Sequence, residues 1–301
     1  MESEERDKRG ARLRKPEWLR VNLGGGERYG EVSKLLESQG LHTICSSGRC
    51  PNQGECWREG TATFMILGDV CTRRCRFCAT ASGVPLPPSV EEAARVADSA
   101  RAMRLRHVVV TSVDRDDLAD GGASQWCSVI RALRRECSAA TIEALLPDFM
   151  GKPFALERVL SERPDIAAHN IETVERLTPN VRSHAKYRYS LDVLARIAGS
   201  GAVCKSGIML GLGERQEEVL QTLRELRGAG VCVVTLGQYL QPTQGHYPVE
   251  RYVPPEEFSA LRHEALRMGF RYVEAGPLVR SSFHASRALA ACGVSSRGEV
   301  K

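Results

Sequence analysis

From residue 61 onward, short apolar runs alternate with longer stretches of helical period. "TATFMIL" reads as a β-strand. "SVEEAARVADSARAMR" reads as a helix with Ser89 as its N-cap and Glu91 and Glu92 in the first turn, where carboxylates meet the positive end of the helix dipole. "RHVVVTSV" predicts a buried strand, and "QWCSVIRALRREC" carries apolar residues at i, i+3, i+4 and i+7, the spacing of one helix face. The pair recurs as "ATIEALLP" with "FALERVLSE", "DIAAHNIE" with "SLDVLARIAG", "AVCKSGIML" with "RQEEVLQTLRELRGAG", and "VCVVTLGQYL" with "PEEFSALRHEALRMG". A last apolar stretch, "RYVEAGPL", leads into a short helical tail. Six consecutive βα units require parallel strands joined by right-handed crossovers, hence a doubly wound sheet or a barrel. No G-x-G-x-x-G follows the first strand, which argues against a Rossmann sheet. The expected fold is α/β, a partial (β/α)6 barrel of the TIM type over residues 57–275, with an extension at 1–56 and a tail at 276–301. In such a barrel the functional groups sit on the loops after the strands' carboxyl ends.

Ahead of the barrel, residues 1–30 are polar and charged, and "EVSKLLESQ" predicts a short helix followed by a cysteine-bearing loop. The glycines of "NLGGGERYG" lack the spacing of a phosphate cradle. Hydrophobic residues make up 42% of the 301 and charged ones 26%, as expected of a soluble globular chain. No apolar run approaches the roughly 20 residues that span a bilayer, and the amino terminus has no apolar signal core, so a bacterial or archaeal cytoplasmic protein is expected. The net charge of +5 is spread through helical segments, which speaks against a dedicated nucleic-acid surface.

Cysteine changes the picture. The chain has 11, with no export signal to favour disulfides, so metal or redox chemistry is the first reading. "VCTRRCRFCAT" places Cys71, Cys75 and Cys78 in a C-x3-C-x2-C pattern directly after the first predicted strand. "ICSSGRCPNQGECW" adds Cys45, Cys50 and Cys56 in a C-x4-C-x5-C pattern. Structural zinc prefers four closed ligands, commonly paired C-x2-C units, and iron–sulfur cubes are normally held by four cysteines. Each group here is one thiol short. A cube held by three cysteines leaves one iron open to a small chelating molecule. The other cysteines (Cys127, Cys137, Cys204, Cys232, Cys292) are isolated in apolar contexts and read as small buried hydrophobes.

The C-x3-C-x2-C loop, with Phe77 just before its third cysteine, resembles the signature of the radical S-adenosylmethionine superfamily. Both cysteine patterns together with "GTATFMILGDVCTRRCRFC", "VVTSVDRDDLADGG", "AHNIETV", "KSGIMLGLGE", "LGQYLQPT" and "GPLVRSSFHA" closely resemble the lipoyl synthase family, in order over roughly residues 40–290. The resemblance implies a radical-SAM-class barrel, two [4Fe–4S] clusters and S-adenosyl-L-methionine. Cys71, Cys75 and Cys78 would bear the radical-generating cluster. Cys45, Cys50, Cys56 and Ser282, the second serine of "RSSFHA", would bear an auxiliary cluster that donates sulfur. The reaction implied is insertion of two sulfurs at C6 and C8 of an octanoyl chain amide-linked to a lysine of a lipoyl carrier domain (2-oxoacid dehydrogenase E2 or glycine cleavage H protein). Further implied partners are an electron donor such as flavodoxin or ferredoxin and a cluster-repair carrier, with neither nucleic acid nor membrane involved. By the same analogy, Thr111, Ser112, Asn170, Glu172, Lys205 and Ser206, each placed at or near a predicted strand end, would contact the S-adenosylmethionine. Two positions depart from the family. "CSSG" stands where an acidic "CEEA" is usual, and Phe283 replaces a tyrosine beside Ser282, which bears on tuning of the auxiliary cluster and leaves its ligands intact.

Overall fold

The computed structural model describes residues 13–19, 42–43 and 52–293. Parallel strands β1 (Thr61–Ile66), β2 (His107–Ser112), β3 (Thr141–Leu145), β4 (Ile166–Ala168), β5 (Val203–Leu210), β6 (Val233–Gln238) and β7 (Tyr272–Gly276) lie side by side in chain order. The two-residue strand His42–Thr43 pairs antiparallel with β1 at one edge, and β7 forms the other, so the sheet stays open between them. The six expected βα units are present, and "RYVEAG" adds a seventh parallel strand.

The short helix α1 (Gln53–Arg58) precedes β1. Crossovers α2 (Glu92–Ala102), α3 (Ala123–Glu136), α4 (Pro153–Leu160), α5 (Thr178–Val181) with α6 (Tyr187–Gly199), α7 (Gln216–Gly228) and α8 (Pro255–Arg267) follow the first six strands, and α9 (Ala285–Ala291) ends the tail. Strands covered by helices lose their alternation: every residue of β1 and β6 is buried. The apolar stripe of α3, Trp126, Val129, Ile130 and Leu133, is fully buried against the sheet.

The sheet's curvature is visible in one contact. Lys205 on β5 reaches across β4 to Glu143 on β3, Nζ to Oε1 at 2.8 Å, and His107 on β2 stands 3.5 Å from the same carboxylate. Side chains that skip a strand must share a concave inner face. At the barrel floor, Ala288 and Leu289 of α9 pack on Ile166 and Val233, the first residues of β4 and β6.

Several expectations are corrected. Ser89 is not an N-cap: α2 begins at Glu92, and the Ser89 hydroxyl accepts instead from Arg95 (3.2 Å). Cys56 sits on a helix rather than a loop, because buried Trp57 anchors that single short turn of chain. β4 is only three residues long, so Asn170 and Glu172 lie beyond it. The helix expected in "EVSKLLESQ" lies outside the described residues.

On the outer face, His169 is held neutral. Its Nδ1 donates to the Leu146 carbonyl (2.9 Å), while the Ser190 hydroxyl, which accepts from Arg182 (3.0 Å), donates to Nε2 (3.0 Å). Burial, then the Arg182 charge, pushes its pKa down to about 4. The unfolded chain therefore takes up a proton that folded His169 refuses, and stability falls as pH drops from 6.5 towards about 4. The loss attributable to this one ring is on the order of 3 kcal/mol. Urea titrations across that window should show a flatter pH dependence for His169→Gln; an unchanged slope would contradict the assignment.

Candidate functional site

β1 ends in a sharp turn in which Leu67 and Gly68 take φ of 68° and 91°. The strain at Leu67 is held by Glu92 of α2, whose two carboxylate oxygens both accept from the Leu67 amide at 3.0 Å. The chain then loops out and returns, with Val70–Cys71 paired in parallel to Ala81–Ser82. Cys71, Cys75 and Cys78 fall within this one closed loop at the carboxyl end of the barrel. The Cys78 amide donates to the Cys75 carbonyl (3.1 Å), and the Cys78 carbonyl accepts from His246 Nε2 (2.9 Å). Arg76 donates its amide to Val181, accepts from the Tyr247 amide and lies over the Tyr247 ring, so the loop is tied on two sides.

Its main anchor is Arg73, between the first two cysteines and only 4% exposed. The guanidinium grips Asp116 bidentately (2.7 and 2.8 Å), donates twice to Asp148 (3.1 and 2.6 Å) and stands 3.4 Å from Asp114. Asp114 and Asp116 follow β2 and Asp148 follows β3, so one side chain joins three loops of the mouth. The three carboxylates do not share it equally. At Asp148, burial alone would raise the pKa, but the Arg73 hydrogen bonds and charge overcome it and hold the group at about 2. Asp114 is raised by burial to about 6, with Arg73 offsetting only part.

The thiols suit a Lewis-acidic occupant. Cys71 Sγ accepts from the amides of Arg73 (3.4 Å) and Asp114 (3.3 Å), an arrangement that favours a metal-bound thiolate. Without metal, burial pushes the Cys71 thiol up to about 11, and burial likewise raises Cys78, so a bound metal must displace the protons. Cys75 is partly exposed, its sulfur 3.8 Å from the Ser183 hydroxyl.

Around the loop stand four of the sequence candidates. Thr111 and Ser112 end β2; Thr111 Oγ1 donates to the Leu145 carbonyl (3.4 Å), and Ser112 Oγ is buried with no hydrogen-bond partner among the described residues. Glu172 has φ of 69° and bridges to Ile208; burial raises its pKa, while Arg182 and a hydrogen bond from Asn170 oppose the rise. Gly207 makes room for this pair, since a Cβ there would lie 2.9 Å from Asn170 Oδ1. An orphaned hydroxyl and a partly accessible, strained carboxylate at one mouth fit a polar ligand with several hydrogen-bonding groups.

Lys205 and Ser206 are not at the strand end. They are early residues of the eight-residue β5; Lys205 is spent on Glu143 inside the barrel, and Ser206 Oγ donates to the His169 carbonyl (2.9 Å) on the outer side. "GLGE" is a tight turn in which Glu214 accepts from the amides of Gly211 (2.7 Å) and Leu212 (2.9 Å).

The carboxyl-terminal tail crosses the same mouth. Gly237 at the end of β6 admits the Val279 carbonyl, which would lie 2.2 Å from a Cβ there, and Arg280 donates to the Gln238 carbonyl (3.2 Å). The tail is then joined to α1: Asn52 Nδ2 donates to the Leu278 carbonyl (2.7 Å), His284 sits between Glu55 and Glu274 (3.2 Å each), and Arg287 meets Glu59 (3.0 Å). Cys56 on α1 and the R-S-S-F-H-A segment are thus held against each other, with Ser282 partly buried. Cys45 and Cys50 lie outside the described residues.

The sequence profile described as Radical SAM superfamily matches residues 65–226. Among solved structures, methylornithine synthase superposes with a TM-score of 0.54 at 14% identity, covering 81% of each chain, which supports the fold alone. The barrel and its cysteine loop define a radical S-adenosylmethionine enzyme. Curated relatives narrow this. Lipoyl synthase of Parabacteroides distasonis is 53% identical over 91% of this chain and 98% of its own, and that of Chlorobium phaeovibrioides is 53% identical over 91% and 97%. The chain belongs to the lipoyl synthase family.

Sequence reasoning missed Arg73 and its aspartates; the only local signal was the acidic run "DRDD" after the second strand. Replacing Arg73 with Met strands three carboxylates, and breaking such a buried pair costs about 3–5 kcal/mol. Arg73→Met should lower the urea midpoint and the iron retained after anaerobic reconstitution, with Arg73→Lys intermediate. Iron retention equal to the unaltered chain would contradict the anchoring role.

Proposed function

We propose that this chain inserts two sulfur atoms, at C6 and C8, into an octanoyl group carried on a lysine of a lipoyl carrier domain. The reading is supported chiefly by one juxtaposition: the C-x3-C-x2-C loop and a tail tied to the Cys56 helix lie at the same mouth of one barrel. Cys71, Cys75 and Cys78 would hold one [4Fe–4S] cluster, and Cys45, Cys50, Cys56 and Ser282 a second. When bound, the first cluster with S-adenosylmethionine supplies a 5′-deoxyadenosyl radical, and the second supplies sulfur. Abstraction from an unactivated carbon exceeds side-chain acid–base chemistry, which is why cofactors carry it.

The chain's own residues position and seal. Thr111, Ser112, Asn170 and Glu172 line the mouth as contacts for S-adenosylmethionine; Lys205 and Ser206 act indirectly, by fixing the inner and outer faces of β5. Arg280 seats the tail on the Gln238 carbonyl, two residues before Ser282. Alkoxide is a harder ligand than thiolate and a poorer match to a sulfur-rich cluster, so the Ser282 bond is the one suited to opening. This reading keeps 1–56 as a cluster-bearing extension, 57–275 as the core and 276–301 as the tail. It places the enzyme in the cytoplasm, supplied by a flavodoxin- or ferredoxin-type donor and a cluster-repair carrier; among the described residues no helix is long and apolar enough to cross a membrane.

Anaerobic incubation with an octanoyl-lysine peptide, S-adenosylmethionine and a reductant should give a product heavier by two sulfurs, which becomes lighter by two hydrogens when air then closes the dithiol to a disulfide. Cys56→Ala should still release 5′-deoxyadenosine while forming no sulfur-bearing product. Full sulfur insertion by Cys56→Ala would sink the second cluster, and with it the distinction from other sulfur-inserting radical enzymes.

A further inference from the structure

Directly after the cysteine loop, "GVPLPPSV" at residues 83–90 leaves Val84 94%, Leu86 84% and Val90 94% exposed. Three apolar side chains this open within one short stretch mark a surface that a partner covers. The stretch is held in shape. Ser82 Oγ donates to the Arg73 carbonyl (2.8 Å), the Gly83 amide to the Cys71 carbonyl (3.0 Å), and Gln125 Nε2 to the Ser89 carbonyl (3.0 Å). Between these anchors Pro85, Pro87 and Pro88 fix φ, so little freedom is lost when a partner settles on it. Its place is the rim of the mouth: it starts from the cysteine loop and leads into α2, whose Glu92 holds Leu67 at the end of β1. Beside it the rim is cationic. Residues 67–90 contain one acid, Asp69, and three arginines, of which Arg73 is consumed by its aspartates. Arg74 and Arg76 are exposed, and the Arg74 amide donates to Ser183 Oγ (3.2 Å), three residues before exposed Lys186.

We propose that Val84, Leu86 and Val90, flanked by Arg74, Arg76 and Lys186, form the docking surface for the protein domain that carries the octanoyl group. The identity of that partner rests on the function proposed above. The acyl chain is tethered through a lysine side chain, so its carbons reach the mouth only when the body of the carrier rests on the rim. The apolar ridge supplies the dry centre of the contact, and the cations beside it set its orientation. The complementary face of the carrier is therefore apolar next to its lysine, with carboxylates alongside. Docking and chemistry make separate demands on the chain. A short acylated peptide needs the mouth alone, whereas the folded domain also needs the ridge.

The reconstituted chain is titrated anaerobically by calorimetry with an octanoylated lipoyl domain and assayed in parallel with the octanoyl-lysine peptide. Val84→Ser/Leu86→Ser should weaken binding of the domain about tenfold, while iron per chain and sulfur insertion into saturating peptide stay unchanged. Lys186→Glu should weaken the same binding and flatten its dependence on salt. Undiminished binding of the domain by the double variant, or an equal loss with domain and peptide, would overturn the proposal. So would a lower urea midpoint in the double variant, which assigns the ridge to a segment of this chain. A dimer of the unaltered chain that the double variant dissolves assigns the ridge to a second copy and overturns it too. Should the unaltered chain bind the domain through this ridge yet insert no sulfur into either substrate, the docking surface stands and the functional reading falls.

Discussion

A guanidinium buried at the mouth of a barrel sets the terms for everything placed around it. Arg73 has no solvent to neutralise it and instead gathers Asp114, Asp116 and Asp148 from the loops after two neighbouring strands. Charges taken out of water are tolerated only when paired and hydrogen-bonded, so these loops cannot move independently. Arg73 lies inside the cysteine loop itself, and its own amide also points at the Cys71 sulfur. The Cys71 sulfur is therefore positioned by the same residue that locks the strand ends. Three carboxylates on one cation also explain the uneven protonation, with Asp148 driven low and Asp114 left high.

The tail is placed by space rather than by charge. Gly237 leaves the gap into which the Val279 carbonyl fits, and any Cβ would close it. From there Arg280 fixes the direction of the chain, and polar ties from Asn52, Glu55 and Glu59 bring in the helix that carries Cys56. Cys56 and the segment around Ser282, remote in sequence, are thereby held together. Beneath them the Lys205–Glu143 pair spans the inner face and α9 fills the floor, so the opening is backed by packed protein that excludes water.

Much of this was legible in the residue pattern. β1 and β2 are largely apolar runs between clear helical periods, and the alternation of strands with helices required a parallel sheet. The cysteine loop's place at a strand's carboxyl end followed from that order. Lys205 and Ser206 were misplaced because apolar "GIML" continues β5 past them, and strand ends carry little local signal. α1 escaped because six residues show no period; its stability comes from packing of Trp57. Arg73 was invisible for a different reason: its partners lie more than forty positions away, and an arginine in an arginine-rich loop looks like surface until those carboxylates are brought to it. Ser282 was reachable only through resemblance, since nothing about a serine before a short helix distinguishes a ligand from a cap.

Cys71, Cys75 and Cys78 are proposed to hold one cluster, and Cys45, Cys50, Cys56 and Ser282 another. Iron and acid-labile sulfide per chain test this most directly, measured after anaerobic reconstitution for the unaltered chain and for Cys71→Ala/Cys75→Ala/Cys78→Ala. About eight irons are expected in the first and about four in the second, from two four-iron clusters. About four irons in the unaltered chain, or none left in the triple variant, would contradict it.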